Sequence, residues 1–553
     1  MLTAQLTFAG GIVTNTNQSA AWVRMLARDA SVDVDAVFFN PAGLTHLDDG
    51  FYFQLNSQTV SQSRTVTSTY PTLNNGKYEG KTFVPFLPTA FAVYKRGNLA
   101  VSGGFTVIGG GGSAEFDKGL PDFEYKVSGL PTALAGLKPI GEQAGVDLSV
   151  NGYSMSSSIT GSSTYLGFQG AVSYRINDII SIALGARYVS ASNKYDGNIT
   201  DISLINGTDT MRADAFITSK AVPTLNGISQ KLGQGITQLT GVANQVQPFL
   251  GQFGAFTLAQ GKAAGAITED QYNALIQAGN AVGIEDPANT TLQDYYDGIN
   301  VGITGLNTQK TQVDGTAAAL SAQATALADK NLQVEQTGTG ITPFVSVDID
   351  FGNVGFSAKY EMKTKMNVTT KVIKDDFGLF VDKEEVPAEM PAMLALGARF
   401  NAGGLKLQTG FHYYFDKAAK YGKRNAAGEF VTNGKEVNIN GDKTYLSGNS
   451  IEFALGAQYD INSMFGLSAG FLMTKTKPNA IYQSSLSYSL PTKTFGFGAI
   501  VHATSNIDID LGVSFTSYDK YTKDFAGVAP APAYKETYEK SAKIFSLGAT
   551  LKL

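Results

Sequence analysis

Three arginines sit where they could hold an acidic group. Arg175, Arg187 and Arg399 each fall on the polar parity of a segment in which every second residue is apolar. A guanidinium offers paired donors to a carboxylate, so the three could meet the head group of a ligand. Asp348, Asp350 and Glu361 occupy equivalent positions, and charges enclosed in a lumen neutralise one another, so internal ion pairs are the competing expectation. An apolar ligand would need a dry aromatic surface. Phe8, Phe38 and Phe39 near the start, with Phe51 and Phe53 just beyond, could supply one. Packing of the N-terminal residues against their surroundings would use the same rings.

Catalytic and metal chemistry find little to work with. His46, His412 and His502 are the only histidines; they share no metal spacing, and no His-Glu-x-x-His occurs. Gly466-Leu467-Ser468-Ala469-Gly470 matches a nucleophile-elbow string. Such an elbow needs a sharp strand-to-helix turn, whereas these five residues lie inside an alternating strand. Ser514 could meet His502 only by strand adjacency. Asp33, Asp35, Asp48 and Asp49 lack the spacing of a calcium loop and suit solvated turns. There is no cysteine, so thiol chemistry and a disulfide framework are excluded. Net charge is -5 with no basic block, so nucleic acid is not an expected partner. We expect no enzyme, cofactor or metal.

The elements that carry these residues are strands. Ile451, Phe453, Leu455, Ala457 and Tyr459 alternate with Glu452, Ala454, Gly456 and Gln458. After a break at 460–463 the pattern resumes with Phe465, Leu467, Ala469, Phe471 and Met473. A second hairpin repeats it, Phe495 to Val501 and Ile507 to Phe515. A period of two over about ten residues puts one parity on each face of a strand long enough to cross a bilayer. Small and charged residues on the second face suit a lumen. Hydrophobic residues are 43% of the chain, yet no run of about eighteen apolar residues occurs, so helical spans are excluded.

Short breaks (96–98, 177–178, 352–353, 402–404, 460–463, 504–506) alternate with long ones near 66–82, 107–160, 192–338, 365–390, 418–447, 475–489 and 519–541. The short ones carry the Gly, Asn, Asp and Ser of tight turns. Together they separate about fourteen antiparallel strands, so the fold class expected is an all-β transmembrane barrel of the bacterial outer membrane. Short turns and both termini would be periplasmic and long loops extracellular. Residues 1–5 lack a leader's charged and apolar regions and are expected to be the remnant of an export signal. Residues 6–49 precede the wall, with a helix expected over 20–27, and 50–553 form the barrel. Inside it, 196–337 is a mainly helical insertion. There Leu225, Leu232, Leu239 and Val246 recur every seven residues, as do Leu306, Val313, Leu320 and Leu327. The spacing predicts two paired antiparallel helices, with a shorter one over 268–278 capped by Thr268.

The run from Ala27 to Leu44, ending Asn40-Pro41-Ala42-Gly43-Leu44, resembles the N-terminal plug signature of the FadL/TodX family of outer-membrane transporters. Leu87-Pro88-Thr89-Ala90-Phe91, with Tyr94 and Gly103-Gly104-Phe105, is similar to that family's second hairpin. The resemblance implies a monomeric barrel with an N-terminal hatch, surrounded by outer-membrane lipid. It also implies passive uptake of hydrophobic small molecules such as long-chain fatty acids, with lateral exit through a kink in the third strand. The third strand holds Gly103-Gly104 and then Gly109-Gly110-Gly111-Gly112; such glycines permit a kink, with Gly103 and Gly104 the gate residues expected, and they could equally crowd the lumen or begin a loop. The large insertion departs from the pattern. It supports an alternative, a scaffold or accessory subunit of a surface assembly or secretion complex that docks another outer-membrane or surface protein through 217–336. A general water-filled porin is the third possibility, for which a plug would be an obstacle.

Overall fold

Strict alternation over the wall segments allows each to bury a polar parity and expose an apolar one, and the backbone groups between them must find partners across the sheet. A computed structural model describes residues 15–439, 441–527 and 532–553. It resolves this requirement by closure: fourteen antiparallel strands form one barrel without a free edge. The described chain divides into two compact units, one comprising the described residues of Met1–Lys126, Ser156–Ile199 and Lys330–Leu553, the other Val127–Met155 and Thr200–Asp329.

In order, the wall strands are Gly50–Ser68, Lys77–Arg96, Leu99–Phe116, Gly152–Arg175, Ile180–Asn206 and Lys330–Asp350. The seventh is Val354–Glu361 continued by Asn367–Asp375, and the eighth Glu385–Pro387 continued by Met393–Ala402. Leu405–Tyr414, Ile451–Asp460, Phe465–Lys475 and Thr492–His502 follow. The thirteenth is Ile507–Tyr518 continued by Tyr521–Phe525, and the fourteenth is Tyr534–Lys552. The first strand pairs with the last from Tyr52↔Lys552 to Ser68↔Glu536, which closes the cylinder. Three of the short turns place glycine at positive φ, Gly97 at +57°, Gly352 at +81° and Gly403 at +59°, where a side chain would be strained.

Apolar residues of the wall turn outward. Leu455, Leu467, Phe495 and Leu511 are all exposed, as the lipid-facing belt of a transmembrane barrel requires. Their neighbours Gln458, Ser468, Thr494 and Asp510 are buried inside. The inward glycines do not face open lumen. A Cβ at Gly456 would stand 2.5 Å from the Met25 carbonyl oxygen, and one at Gly496 2.5 Å from that of Val23. The wall is therefore stripped of side chains where the helix Ala20–Met25 lies against it. That helix is only six residues long and wholly buried. Ser19 caps it by accepting the Trp22 N–H at 2.9 Å, and Leu26 ends it at φ 60°.

The loop between the ninth and tenth strands shares a small core with the loop between the eleventh and twelfth. Tyr421, Val431, Val437, Tyr445, Leu446 and Tyr482 bury one another, with the Lys423 ammonium over the rings of Tyr445 and Tyr482 at 5.6 and 4.8 Å. Asp416, at the root of the loop, accepts the Ser450 N–H at 2.9 Å. Burial pushes its carboxyl up to about 6.

The second unit is mainly helical. Helices Val222–Val246 and Leu292–Ala326 run antiparallel: Ser229 bonds Asp314 at 2.5 Å, while a Cβ at Gly302 would lie 3.7 Å from Leu239. The heptad positions Leu225, Leu239, Val246 and Leu320 are buried. Between them stands Glu269–Ala281, where Thr268 and Gln271 form a reciprocal capping box. The expected insertion limits, 196 and 337, are corrected by the sheet. Pairing of the fifth and sixth strands continues to Ile199↔Lys330, so regular wall geometry runs several residues further. Residues 127–155, within a stretch expected to be only a loop, also join this unit and contribute Leu137–Ala144, among other helical turns. Their short amphipathic turns carry no seven-residue repeat by which to find them.

Candidate functional site

The described N-terminal residues are held to the inner wall by buried polar contacts. Arg24 pairs with Asp510 at 2.8 Å and donates to Gln458 at 2.7 Å. Asp29 accepts from His412 at 2.7 Å, and the other ring nitrogen of that histidine meets Glu452 at 2.9 Å. Arg28 stays within the segment, bound by Asp35 at 2.7 Å and Asp33 at 2.5 Å. These acids therefore serve a guanidinium. His502 meets Asp508 at 2.6 Å, and Ser514 is paired with Gly496, so strand register keeps the serine away from the histidine.

Asn40-Pro41-Ala42-Gly43-Leu44 is anchored at nearly every residue. Asn40 donates to Asp348 at 2.7 Å and to the Ser31 carbonyl at 3.1 Å. The Pro41 carbonyl accepts from Ser173 at 2.7 Å. Ala42 and Leu44 are fully buried. Gly43 passes so close to Ser31 and Asn40 that any Cβ would clash.

All three arginines have internal partners. Arg187 holds Glu361 with two bonds of 2.9 and 2.7 Å, and Lys359 meets the same carboxylate at 2.6 Å. Arg399 holds Asp348 with two bonds of 2.7 and 3.0 Å. Arg175 donates to the Thr45 carbonyl at 2.6 Å. Phe38 lies beneath both Arg187 and Lys359, each 4.9 Å from its ring centre, and packs edge-on against Phe39. The void beside these two rings is only about 20 Å³. Phe51 and Phe53 are 51% and 45% exposed on the outward parity, while Gln54 and Asn56 beside them are buried. They line no internal pocket, because the alternation that sends Phe495 to the lipid sends them there too. Phe8 lies outside the described residues.

A cavity of about 330 Å³ lies elsewhere in the barrel unit, large enough for a small ligand. Its apolar wall includes Val84, Leu87, Ile108, Tyr165 and Leu486, and Asn15 and Asn17 of the N-terminal segment also line it. Along one side run Gly109, Gly110, Gly111 and Gly112 of the third strand. Here the sheet is unzipped. The second and third strands pair from Arg96↔Leu99 to Ala90↔Phe105 and again at Lys81↔Glu115, with no register between. Pro85 and Pro88 have no N–H to give. Gly110 and Gly111 take φ of +64° and +103°, and pairing with the fourth strand shifts at 107–109 and 110–112. Side chains of the second strand pack against the glycine backbone across the seam: a Cβ at Gly112 would lie 2.6 Å from a Val84 methyl, and one at Gly111 2.8 Å from a Leu87 methyl.

The irregularity expected at Gly103 and Gly104 lies further along the same strand, at 107–112. Both residues pair regularly with Ala92 and Phe91 on one side and with Gly170 and Gln169 on the other. The irregularity falls on the second glycine run of the strand, Gly109–Gly112, across the seam from Pro85 and Pro88.

These features define a class: a closed fourteen-stranded transmembrane β-barrel with a partly apolar internal cavity abutting an unpaired seam in its wall. No protein-family model and no curated protein matches the chain. Solved structures do. The chain is similar to a Pseudomonas aeruginosa FadL homologue, with 12% identity, 98% of this chain and 99% of that chain covered, and a TM-score of 0.54. It has that protein's fold. It also aligns with the P. putida toluene transporter TodX at 11% identity, 94% of each chain and a TM-score of 0.45. The Ralstonia pickettii toluene transporter TbuX aligns at 12% identity over 94% of each chain, with a TM-score of 0.43.

Proposed function

We propose that this barrel is an outer-membrane channel for passive uptake of hydrophobic small molecules, long-chain fatty acids among them. The observation that carries the reading is the cavity beside the unzipped seam between the second and third strands. Residues 6–49 act as a hatch; those described are fastened to the inner wall, and the ligand is diverted sideways rather than down the bore. It leaves between Val84 and Leu87 on one strand and Gly111 and Gly112 on the other, entering the bilayer directly. An apolar molecule gains from that route because it never crosses water. Short turns face the periplasm and long loops the outside, as in outer-membrane barrels generally, and the barrel works as a monomer.

The test exploits a chain without cysteine. Val84→Cys with Gly112→Cys should form a disulfide across the seam. The oxidised protein in proteoliposomes should lose transport of a hydrophobic tracer, and reduction should restore it. Full transport by the oxidised form would refute lateral exit.

One observation favours a second reading, a scaffold subunit of a surface complex. The helical unit buries Leu239, Val246, Leu258, Leu275, Tyr295 and Ile299 in a core of its own, more structure than a loop needs. On that reading 217–336 docks another outer-membrane or surface protein.

A further inference from the structure

Four lysines stand at the long-loop end of the lipid-facing belt, each two residues from an apolar member of its own strand. Lys475 follows Met473 on the eleventh strand, Lys493 precedes Phe495 on the twelfth, Lys543 precedes Phe545 on the fourteenth and Lys81 precedes Phe83 on the second. The period of two keeps each on the outward parity, and all four are exposed. The register gathers the first three. Lys493 pairs with Met473, so Lys475 stands one step further out on the adjacent strand. On the other side Lys493 leads through Ser517 to Ser541, and Phe515 leads to Lys543, one step nearer the belt. Neighbouring strands lie about 4.8 Å apart, so the arc from the eleventh strand to the fourteenth spans about 15 Å.

Charge matching differs around the cylinder. Across the barrel, on the fifth and seventh strands, Lys194 and Lys371 both reach Glu335, at 3.2 and 4.0 Å. Lys194 also stands off the belt, six residues beyond Tyr188 with Ser190 and Ser192 between. Lys81 faces Glu115 directly. Among the described residues Lys475 and Lys543 have no carboxylate partner, and Lys493 comes only within 3.9 Å of Asp519.

We propose that Lys475, Lys493 and Lys543 bind the phosphates of a doubly phosphorylated lipid on the outside of the wall, its acyl chains lying on Met473, Phe495 and Phe545. A lysine at the edge of the hydrocarbon lays its stem on apolar surface and lifts its ammonium among the headgroups. Three such cations without matching acids make a local positive field, which an anionic headgroup neutralises and a zwitterionic one does not. One phosphate cannot touch both ends of the arc while the stems stay on the belt; a headgroup with two phosphates can. The exposed Ser517 hydroxyl between the lysines adds a donor. Below them the rings of Phe471 and Phe495, 5.2 Å apart, continue the surface for the chains. An acidic soluble protein would have to displace lipid from that surface, which favours a lipid as the occupant. The site uses the lipid-facing belt alone and is independent of the uptake reading.

The experiment titrates the purified full-length barrel in detergent with diphosphoryl lipid A or its monophosphoryl form, read by native mass spectrometry. The diphosphoryl form should bind about tenfold tighter. Lys475→Gln with Lys493→Gln and Lys543→Gln should abolish that preference, and arginine at the same three positions should keep it. Lys194→Gln with Lys371→Gln, across the barrel, should leave it unchanged. Equal binding of the two forms by the wild-type protein, or a preference that survives the triple glutamine variant, overturns the site. An equal loss in the Lys194 and Lys371 variant assigns the preference to net charge and overturns it too. Displacement of the lipid by excess inorganic phosphate overturns the lipid as occupant.

Discussion

Glu361 neutralises two buried cations at once, Arg187 through two hydrogen bonds and Lys359 through a third contact. Glu361→Gln strands both charges inside the wall, and removing one partner from a buried ionic group costs on the order of 3–5 kcal/mol. Asp33→Asn is the contrasting case. Asp33 is 67% exposed and shares its guanidinium with the fully buried Asp35, which remains, so its loss should cost less than about 1 kcal/mol. The fluorescence of Trp22, the only tryptophan, reports unfolding in denaturant titrations of the micellar protein. Equal midpoint shifts for the two variants would contradict this ranking. Much at this scale was legible beforehand: the parity of Arg187, Arg399, Asp348 and Glu361 put them on one inner face, and opposite charges there pair. The aromatic residues were harder to place. Phe51 and Phe53 obey the same alternation, but a ring serves lipid, core or ligand equally well, and residue type cannot separate the three. That Arg64 of the first strand stands opposite Lys540 of the last depends on the register that closes the barrel, and no local pattern encodes that.

Elements with a period could be read from the sequence, and those without one could not. The wall strands and the heptad helices Val222–Val246 and Leu292–Ala326 follow from spacing, and Thr268 marks the start of Glu269–Ala281 as its capping chemistry requires. The bulged seam was half visible, since glycines license a bulge at several places and only pairing selects Gly109–Gly112. The core of the loop after the ninth strand was invisible, because its residues are gathered by irregular backbone. That loop makes its own prediction. The folded Asp416 carboxyl titrates near 6 against 3.8 ordinarily, because burial disfavours its charge. The folded loop therefore holds the proton more tightly than the unfolded one. The resulting stabilisation is complete below about pH 3.8 and is lost as pH rises through about 6, and it amounts to on the order of 3 kcal/mol. Hydrogen exchange across 416–450, corrected for its intrinsic pH dependence, should show protection falling between pH 4 and 7. Asp416→Asn should flatten that change; an unaltered profile in the variant would assign it to another group.

At the scale of the whole molecule the barrel unit is built to stand without the helical unit. The fifth and sixth strands stay paired up to Ile199↔Lys330. Their ends at that level are one cross-strand partner apart, the separation that a two-residue Asn-Gly turn of the mirror-image type spans. Replacing 200–329 by such a turn keeps every pairing between the fifth and sixth strands, and with it the closure that satisfies the backbone in lipid. The helical unit has its own core, so its removal takes no residue of that cluster from the barrel. Residues 127–155, left without the partners they share a unit with, should become the site of protease cleavage. The shortened protein should keep the heat-resistant, fast-migrating form of a closed barrel on gels and should still transport the hydrophobic tracer. Failure to reach that form would mean that the helical unit is needed to fold the wall. Transport retained while an outer-membrane protein that co-purifies with the full chain is lost would assign docking to the insertion and uptake to the barrel. Loss of transport from a properly closed barrel would instead make the helical unit part of the uptake path, since the cavity and the seam both lie in residues that the deletion leaves in place.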